Sequence, residues 1–354
     1  MTSTFTIELL PARHGDALWI EYGDPRRPHR ILVDGGPRST VTRTAIEGLV
    51  AERGSDVELL VVSHIDADHI TGVLGLLENR AIGLRPREVW FNGWEHLPAD
   101  LLGAKQGERL GAAIVARGLP WNTDFAGTAV VLPDDGPLPV VDLPGGMRLT
   151  LLSPTRRALA DLRPVWKKEV EKAGLVPGAA AEEERARQPD LLGAGALDPE
   201  ALAGEAFEED GSAANGSSIA FLAEFDGRSL LLTGDAHAGV LADGLRRLAA
   251  ERGVATVPVD AFKLPHHGSR HNLSAELLDL VDCRRFLFST SGHVFGHPDR
   301  VTVSRIVTSR DDTVLECNYR SEFTEPWESA RMRRRFRYDI RFPDRPEPWL
   351  LAAL

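Results

Sequence analysis

The stretch His64-Ile65-Asp66-Ala67-Asp68-His69 decides how this chain is read. Two imidazoles and two carboxylates fall within six residues. They follow Val57 to Val62, a mostly apolar run of strand length, which predicts a buried strand delivering its next residues to one point. On a surface loop the four groups would simply be hydrated. Placed after a buried strand, they form a donor set suited to divalent cations.

Three further clusters occupy similar positions. Thr233-Gly234-Asp235 follows Leu230 to Leu232, and a carboxylate there has enough lone pairs to bridge two cations. A lone Gly-Asp is also an ordinary turn. Leu264-Pro265-His266-His267-Gly268-Ser269 follows the predicted strand Ala261 to Leu264. Gly296-His297-Pro298 follows Arg285 to Ser289. Strand ends are where a layered α/β protein gathers its site.

Around these clusters the pattern predicts strands at Thr4 to Leu10, Ala17 to Tyr22, Arg30 to Val33, Glu88 to Asn92, Thr128 to Leu132, Val140 to Leu143, Met147 to Leu152 and Val314 to Cys317. Ser217 to Phe225 and Ser229 to Thr233 flank Asp226-Gly227, a hairpin signal. Helical spacing is expected over Thr42 to Glu52, Ile70 to Leu77, Arg109 to Arg117, Leu159 to Lys172 and Ala238 to Arg252. Residues 176–212 are rich in Ala, Gly, Glu and Asp and read as a mobile insertion or lid with fragments of helix. The whole reads as one α/β domain over residues 1–354, with a C-terminal extension after about residue 305.

The bulk properties narrow the function. The chain has 354 residues, 43% of them hydrophobic and 26% charged, as in soluble globular proteins. A net charge of −11 argues against non-specific coating of nucleic acid. The dense basic cluster, Arg331 and Arg333 to Arg335, reads as a solvated helix face. Two cysteines, Cys283 and Cys317, are too few for a disulfide framework and point to a reducing cytoplasm. No signal peptide or membrane-spanning run is evident.

Taken together, these segments resemble the metallo-β-lactamase superfamily, in the subgroup related to the hydrolase domain of the DNA-uptake protein ComEC. The loop His64 to His69 resembles the family's His-x-His-x-Asp-His, with Asp66 at the second position as in that subgroup. Asp235 matches its Gly-Asp, His266 to Ser269 its His-His-Gly-Ser, and His297 its Gly-His-Pro. Asp16, Asp34 and the Asn215 to Ser218 segment match further turns.

The resemblance implies a four-layer αβ/βα sandwich and two divalent metal ions, zinc or manganese. It implies His64 and Asp66 on one ion, Asp68 and His69 on the other, and Asp235 between them. His266 completes the second set, with His267 as the substitute. His297 would contact substrate or protonate the leaving group. Asp16, Asp34, Asn215 and Ser218 would support the ligand loops. The family's usual ligand between His69 and Asp235 is not evident, and His96 is the one histidine available there. The catalytic set is then Asp68, Asp235 and His297. The expected activity is hydrolysis of a phosphodiester, with a small nucleotide or nucleic acid as substrate. Hydrolysis of a lactone, thioester or other ester, and a non-catalytic metal-binding or partner-binding role, are the alternatives.

Overall fold

The computed structural model describes residues 3–97, 105–172, 197–345 and 347–354. Its larger features follow from how two kinds of strand alternate along the chain. Hairpin-linked strands pair antiparallel; strands separated by a helix pair in parallel, because only a long crossover can return the chain in the same direction.

The first sheet has six strands in the order Leu350–Ala353, Thr4–Leu9, Leu18–Gly23, His29–Val33, Leu59–Val61 and Val89–Trp90. Its early strands pair antiparallel and its last three are parallel. Helices Thr40–Arg53 and Ala67–Glu78 are the crossovers. The second sheet has eight strands, Tyr338–Arg341, Thr313–Cys317, Arg285–Phe288, Ala261–Lys263, Arg228–Leu232, Ala220–Phe225, Arg148–Ser153 and Val140–Asp142. The first five are parallel neighbours, crossed over by Ala238–Arg252, Ala275–Asp279 and Arg300–Ser309.

Side-chain alternation builds the layers. Ile31, Val33, Leu59 and Val61 face the second sheet and share one core with Phe221, Leu231, Phe262 and Phe286. The intervening Leu32, Leu60 and Val62 face outward and pack with Ile46, Leu49, Ile70, Val73 and Leu76 of the covering helices. A strand buried on both faces must be apolar throughout, which is why Leu59 to Val62 reads as an unbroken run. Helix, sheet, sheet and helix thus stack as an αβ/βα sandwich.

Most expected elements are present. The hairpin closes through Asp226 (φ 50°) and Gly227 (φ 75°), the left-handed pair that a two-residue turn needs. Four expectations change. Thr128 to Leu132 forms no strand: Asn92 holds Val130 at both its N–H (2.8 Å) and its carbonyl (2.9 Å), and one isolated bridge joins Leu132 to Thr155. The helix expected from Ile70 starts at Ala67, so Asp68 and His69 ride its first turn.

The stretch beyond residue 305 is built into both sheets through Thr313–Cys317, Tyr338–Arg341 and Leu350–Ala353. Of the stretch read as a lid, residues 176–196 lie outside the described residues. Residues 197–212 are docked: helix Pro199–Ala203 packs on Arg300–Ser309, and Arg305 donates to the Glu205 carbonyl at 3.2 Å. The basic cluster lies on helix Ala330–Phe336 at the surface, with Arg335 paired to Glu200 at 2.6 Å.

Candidate metal centre

Every expected ligand cluster sits just past the C-terminal end of a parallel strand. Val33 leads to Asp34, Val61 to His64, Leu232 to Asp235, and Lys263 to His266 and His267. Because both sheets present these ends at the same edge of the sandwich, the loops meet there. The meeting is close. A Cβ on Gly15 would lie 1.8 Å from the Asp68 carbonyl oxygen, and one on Gly72 would lie 1.8 Å from that of Gly35. Only glycine allows either approach. His266 (φ 45°) and His267 (φ 55°) both take the left-handed backbone, uncommon for non-glycine residues and characteristic of functional sites.

Asp235 is the hub. Its Oδ2 lies 3.4 Å from His69 Nε2, 3.7 Å from His266 Nε2, 3.7 Å from His267 Nε2 and 4.0 Å from His64 Nε2. Asp68 Oδ2 is 3.5 Å from His267 Nε2 and 3.9 Å from His69 Nε2. Asp66 Oδ2 is 3.5 Å from His64 Nε2. Asp66 precedes its helix without capping it, so its carboxylate is left to the cluster.

The other side of each ring is fixed. His69 Nδ1 meets Asp34 at 2.8 Å, and Asp34 also accepts from the Ser63 N–H at 2.8 Å and the Ser63 hydroxyl at 2.7 Å. His267 Nδ1 donates to the Ser289 carbonyl at 3.0 Å, with Asp16 at 3.5 Å. His64 Nδ1 meets the Ser63 hydroxyl at 3.0 Å. Asp16 is itself held by the buried Lys263, Nζ to Oδ2 2.5 Å. Ser218 accepts from the Asp235 N–H at 3.2 Å, and Asn215 donates to Asp210 at 2.6 Å.

These residues fit divalent cations. The Nε2 atoms of His64, His69 and His267 and the Oδ1 of Asp235 are buried with no hydrogen-bond partner, although buried polar atoms are ordinarily paired. Their atoms fall into overlapping groups, His64 with His69 and Asp235, and Asp68 with His69 and His267, each within 4.8 Å. Orienting the far nitrogen by a carboxylate or carbonyl is what metal-binding imidazoles require.

The electrostatics agree. Burial would raise the carboxyls of Asp235 and Asp68. The imidazoles beside them reverse this, holding Asp235 well below the carboxylate range and Asp68 at about 2. Burial also opposes charge on the rings, yet the carboxylates around them, Asp235 foremost, together outweigh it, pushing His69 well above its ordinary value and His267 up to about 9.

Among the expected residues, His64, Asp66, Asp68, His69 and Asp235 come together, with Asp16, Asp34, Asn215 and Ser218 around them. Two expectations change. His267, sealed against Asp68 and Asp235, is better placed than His266, which is 24% exposed. His96 joins none of the groups. Its ring packs edge-on against Trp121 at 4.6 Å, and burial lowers it to about 4. His297 lies beside His266, with its ring 5.3 Å from that of His266 and Nδ1 3.4 Å from Asp299.

Ser63, Lys263, Asn272 and Asp210 were not anticipated. Lys263 did leave a signal, a lysine within a buried apolar strand. Asp210 left none, being one acid in an acidic stretch.

Fold and site together define an αβ/βα sandwich with a place for divalent metal at the edge of its two sheets. The family model for the metallo-beta-lactamase superfamily matches residues 15–159. That stretch carries the loop from His64 to His69.

No curated protein matches the chain. Among solved structures it is similar to the metallo-beta-lactamase fold protein YhfI from Bacillus subtilis, at 10% identity and a TM-score of 0.45, over 99% of this chain and 100% of that one. It is also similar to CmlA, a diiron beta-hydroxylase from Streptomyces venezuelae, at 13% identity and a TM-score of 0.41. That match covers all of this chain and 55% of CmlA, so the chain spans about half of that protein's length. Among the described residues, no helix is long and apolar enough to cross a membrane.

Proposed function

We propose that the chain is a two-metal hydrolase of phosphodiesters, with a nucleotide or nucleic acid as substrate. The observation that carries this reading is the convergence of unpartnered, buried ring nitrogens of His64, His69 and His267 on the carboxylate of Asp235. His64 and Asp66 would hold one ion. Asp68, His69 and His267 would hold the other, with Asp235 between. Zinc or manganese suits this set of nitrogen and oxygen donors, and the three carboxylates of Asp66, Asp68 and Asp235 favour a hard ion. Two such cations, when bound, supply hydroxide at neutral pH and stabilise the charge that develops on a phosphoryl group.

The chain's own residues do the rest. Asp34 and Ser63 fix the ring of His69; Ser289 and Asp16 fix that of His267. His266 and His297 flank the opening, where they can meet substrate oxygens. The phosphodiester reading rests on the ComEC-like sequence pattern and on this oxygen-rich donor set, which suits hard cations.

Protein stripped with a chelator and reloaded with zinc or manganese should cleave bis(p-nitrophenyl) phosphate and short single-stranded DNA. Asp235→Ala should lose both metal and turnover. Turnover of a thioester or lactone with no phosphodiester cleavage would overturn the substrate class. Failure to retain metal after dialysis would overturn the centre.

A further inference from the structure

Four imidazoles bring Nε2 within 4.0 Å of Asp235 Oδ2, but they are not equivalent. His64, His69 and His267 are fully buried, and their Nε2 atoms are sealed from solvent. His266 alone is open, at 24% exposure. It is also held differently. Asn272 Oδ1 lies 2.9 Å from His266 Nδ1, and Asp210 Oδ2 lies 3.4 Å from it.

The Asn272 amide is oriented unambiguously. Its nitrogen donates to Asp210 (3.1 Å) and to the carbonyls of Asp235 (3.1 Å) and Ala236 (3.3 Å), so its oxygen must face the ring. The Asn215 amide is 3.3 Å from Nδ1 but donates to Asp210 at 2.6 Å, a better bond. Two acceptors therefore face Nδ1, which keeps the proton there and leaves Nε2 free on the side of Asp235 and the opening.

Asp210 is itself rigid. Its N–H donates to the His271 carbonyl at 3.0 Å, and its Oδ1 accepts from the Ser212 N–H at 2.9 Å.

We propose that Asp210 and His266 form a carboxylate–imidazole pair facing the substrate, in which His266 meets the leaving oxygen and Asp210 positions it. The inference rests on the phosphodiester reading above. In that reaction the bond from phosphorus to the leaving oxygen breaks as a bond from phosphorus to a water oxygen forms. One proton of that water ends on the leaving oxygen, and Nε2 of His266 is placed to carry it while Nδ1 keeps its own. His297 sits beside this pair, but neither of its ring nitrogens comes within 4.0 Å of Asp235, as His266 Nε2 does. The stretch read as an insertion or lid, residues 176–212, thus contributes Asp210 from its described part.

A group that assists the leaving oxygen matters most when that oxygen is a poor leaving group. The test compares kcat/KM on bis(p-nitrophenyl) phosphate with kcat/KM on the dinucleotide TpT, whose leaving oxygen is an alkoxide. Asp210→Ala should cost on the order of 10-fold to 100-fold on TpT, the usual loss when the group orienting an imidazole is removed, and markedly less on the nitrophenyl ester. His266→Ala should show the same selectivity, and Asp210→Ala added to it should cost nothing further. Both variants should keep the metal content of the parent.

Nitrogen chemical shifts of histidine-labelled, metal-free protein give a second readout. His266 should be protonated at Nδ1, and Asp210→Ala should erode that preference. The proposal is overturned if Asp210→Ala costs equally on both esters, if it still costs in the His266→Ala background, or if His297→Ala alone shows the leaving-group selectivity. An unaltered His266 tautomer in Asp210→Ala would overturn it even in an active enzyme. A parent protein that cleaves neither ester with metal would instead overturn the phosphodiester reading.

Discussion

Replacing Lys263 by methionine should destabilise the metal-free protein strongly, and replacing Asp16 by asparagine as well should restore most of the loss. Both side chains are 1% exposed, and Nζ sits 2.5 Å from Asp16 Oδ2 and 3.0 Å from the Leu264 carbonyl. Asp16 Oδ1 has no hydrogen bond, and its nearest cationic neighbour is His267 Nδ1 at 3.5 Å. Without the lysine, Asp16 is a buried carboxylate left with His267 as its close cationic neighbour.

Breaking one side of such a pair costs about 3–5 kcal/mol. With an unfolding entropy of about 2.1 cal/mol/K per residue, a chain of 354 residues melts about 4–7 °C lower for that loss. Lys263→Met with Asp16→Asn removes both charges, and replacing both partners of a buried pair by neutral groups is close to neutral, so the double variant should recover to within about 2 kcal/mol. Calorimetry and guanidinium titration of chelator-stripped protein measure both. A single-variant loss below about 1 kcal/mol, or a double variant no more stable than Lys263→Met, would refute the reasoning.

The pH dependence has a definite sign. Burial opposes ionisation of Asp16, but Lys263 and His267 outweigh it and hold the carboxyl below its usual range. The stabilisation is therefore complete above the unfolded value of about 3.9 and is lost as pH falls below it.

Gly15→Ala should weaken metal binding while the sheets stay folded, because its Cβ would lie 1.8 Å from the Asp68 carbonyl and must displace that turn; competition with a chelating dye, set beside circular dichroism, measures this. Adding zinc or manganese to stripped protein near pH 8 should release protons, since His69 and His267 hold theirs well above the ordinary imidazole value of about 6.5 and must lose them to bind an ion. A pH-stat in weakly buffered solution would read it, and a titration with no release would contradict the ligand set. Away from the site, burial and then Glu95 raise Glu108 to about 7. A carboxyl raised on folding weakens stability above its unfolded value of about 4.3, so Glu108→Gln should melt above the parent near pH 8 and match it near pH 4 in a melting-temperature series.

The fold was legible where one physical rule acts alone. Val57 to Val62 announced a buried strand because both faces of that strand are covered. Asp226-Gly227 announced its turn because the flanking strands require left-handed residues. It was illegible where a side chain replaces a ladder. Asn92 bonds both backbone groups of Val130, so a stretch with strand composition needs no strand partner. The edge strands Tyr338–Arg341 and Leu350–Ala353 were missed because each is only four residues long, and Leu350–Ala353 is held by pairing with Thr4–Leu9 at the other end of the chain.

The site shows the same division. Candidate ligands that leave a strand end together, His64 to His69, could be found as a group because their spacing along the chain approximates their spacing in space. The choice between His266 and His267 could not be read, since adjacent residues point in different directions and the left-handed backbone at both decides which is sealed. The ligand sought at His96 fails for a related reason. A histidine between the right elements is necessary for that role, but the short turn Trp94–His96 places its ring against Trp121.

Asp210 lies furthest from what the sequence offers. It sits 56 residues before His266 in a stretch of ordinary acids, and only the docking of residues 197–212 gives it a partner. In this chain the proposed metal ligands sit at strand ends, whereas most of the groups that would aim them belong to tertiary packing. Asp34 and Asp16 could be anticipated only through the turns that resemble the family's, and Lys263, Asn272 and Asp210 had to be seen.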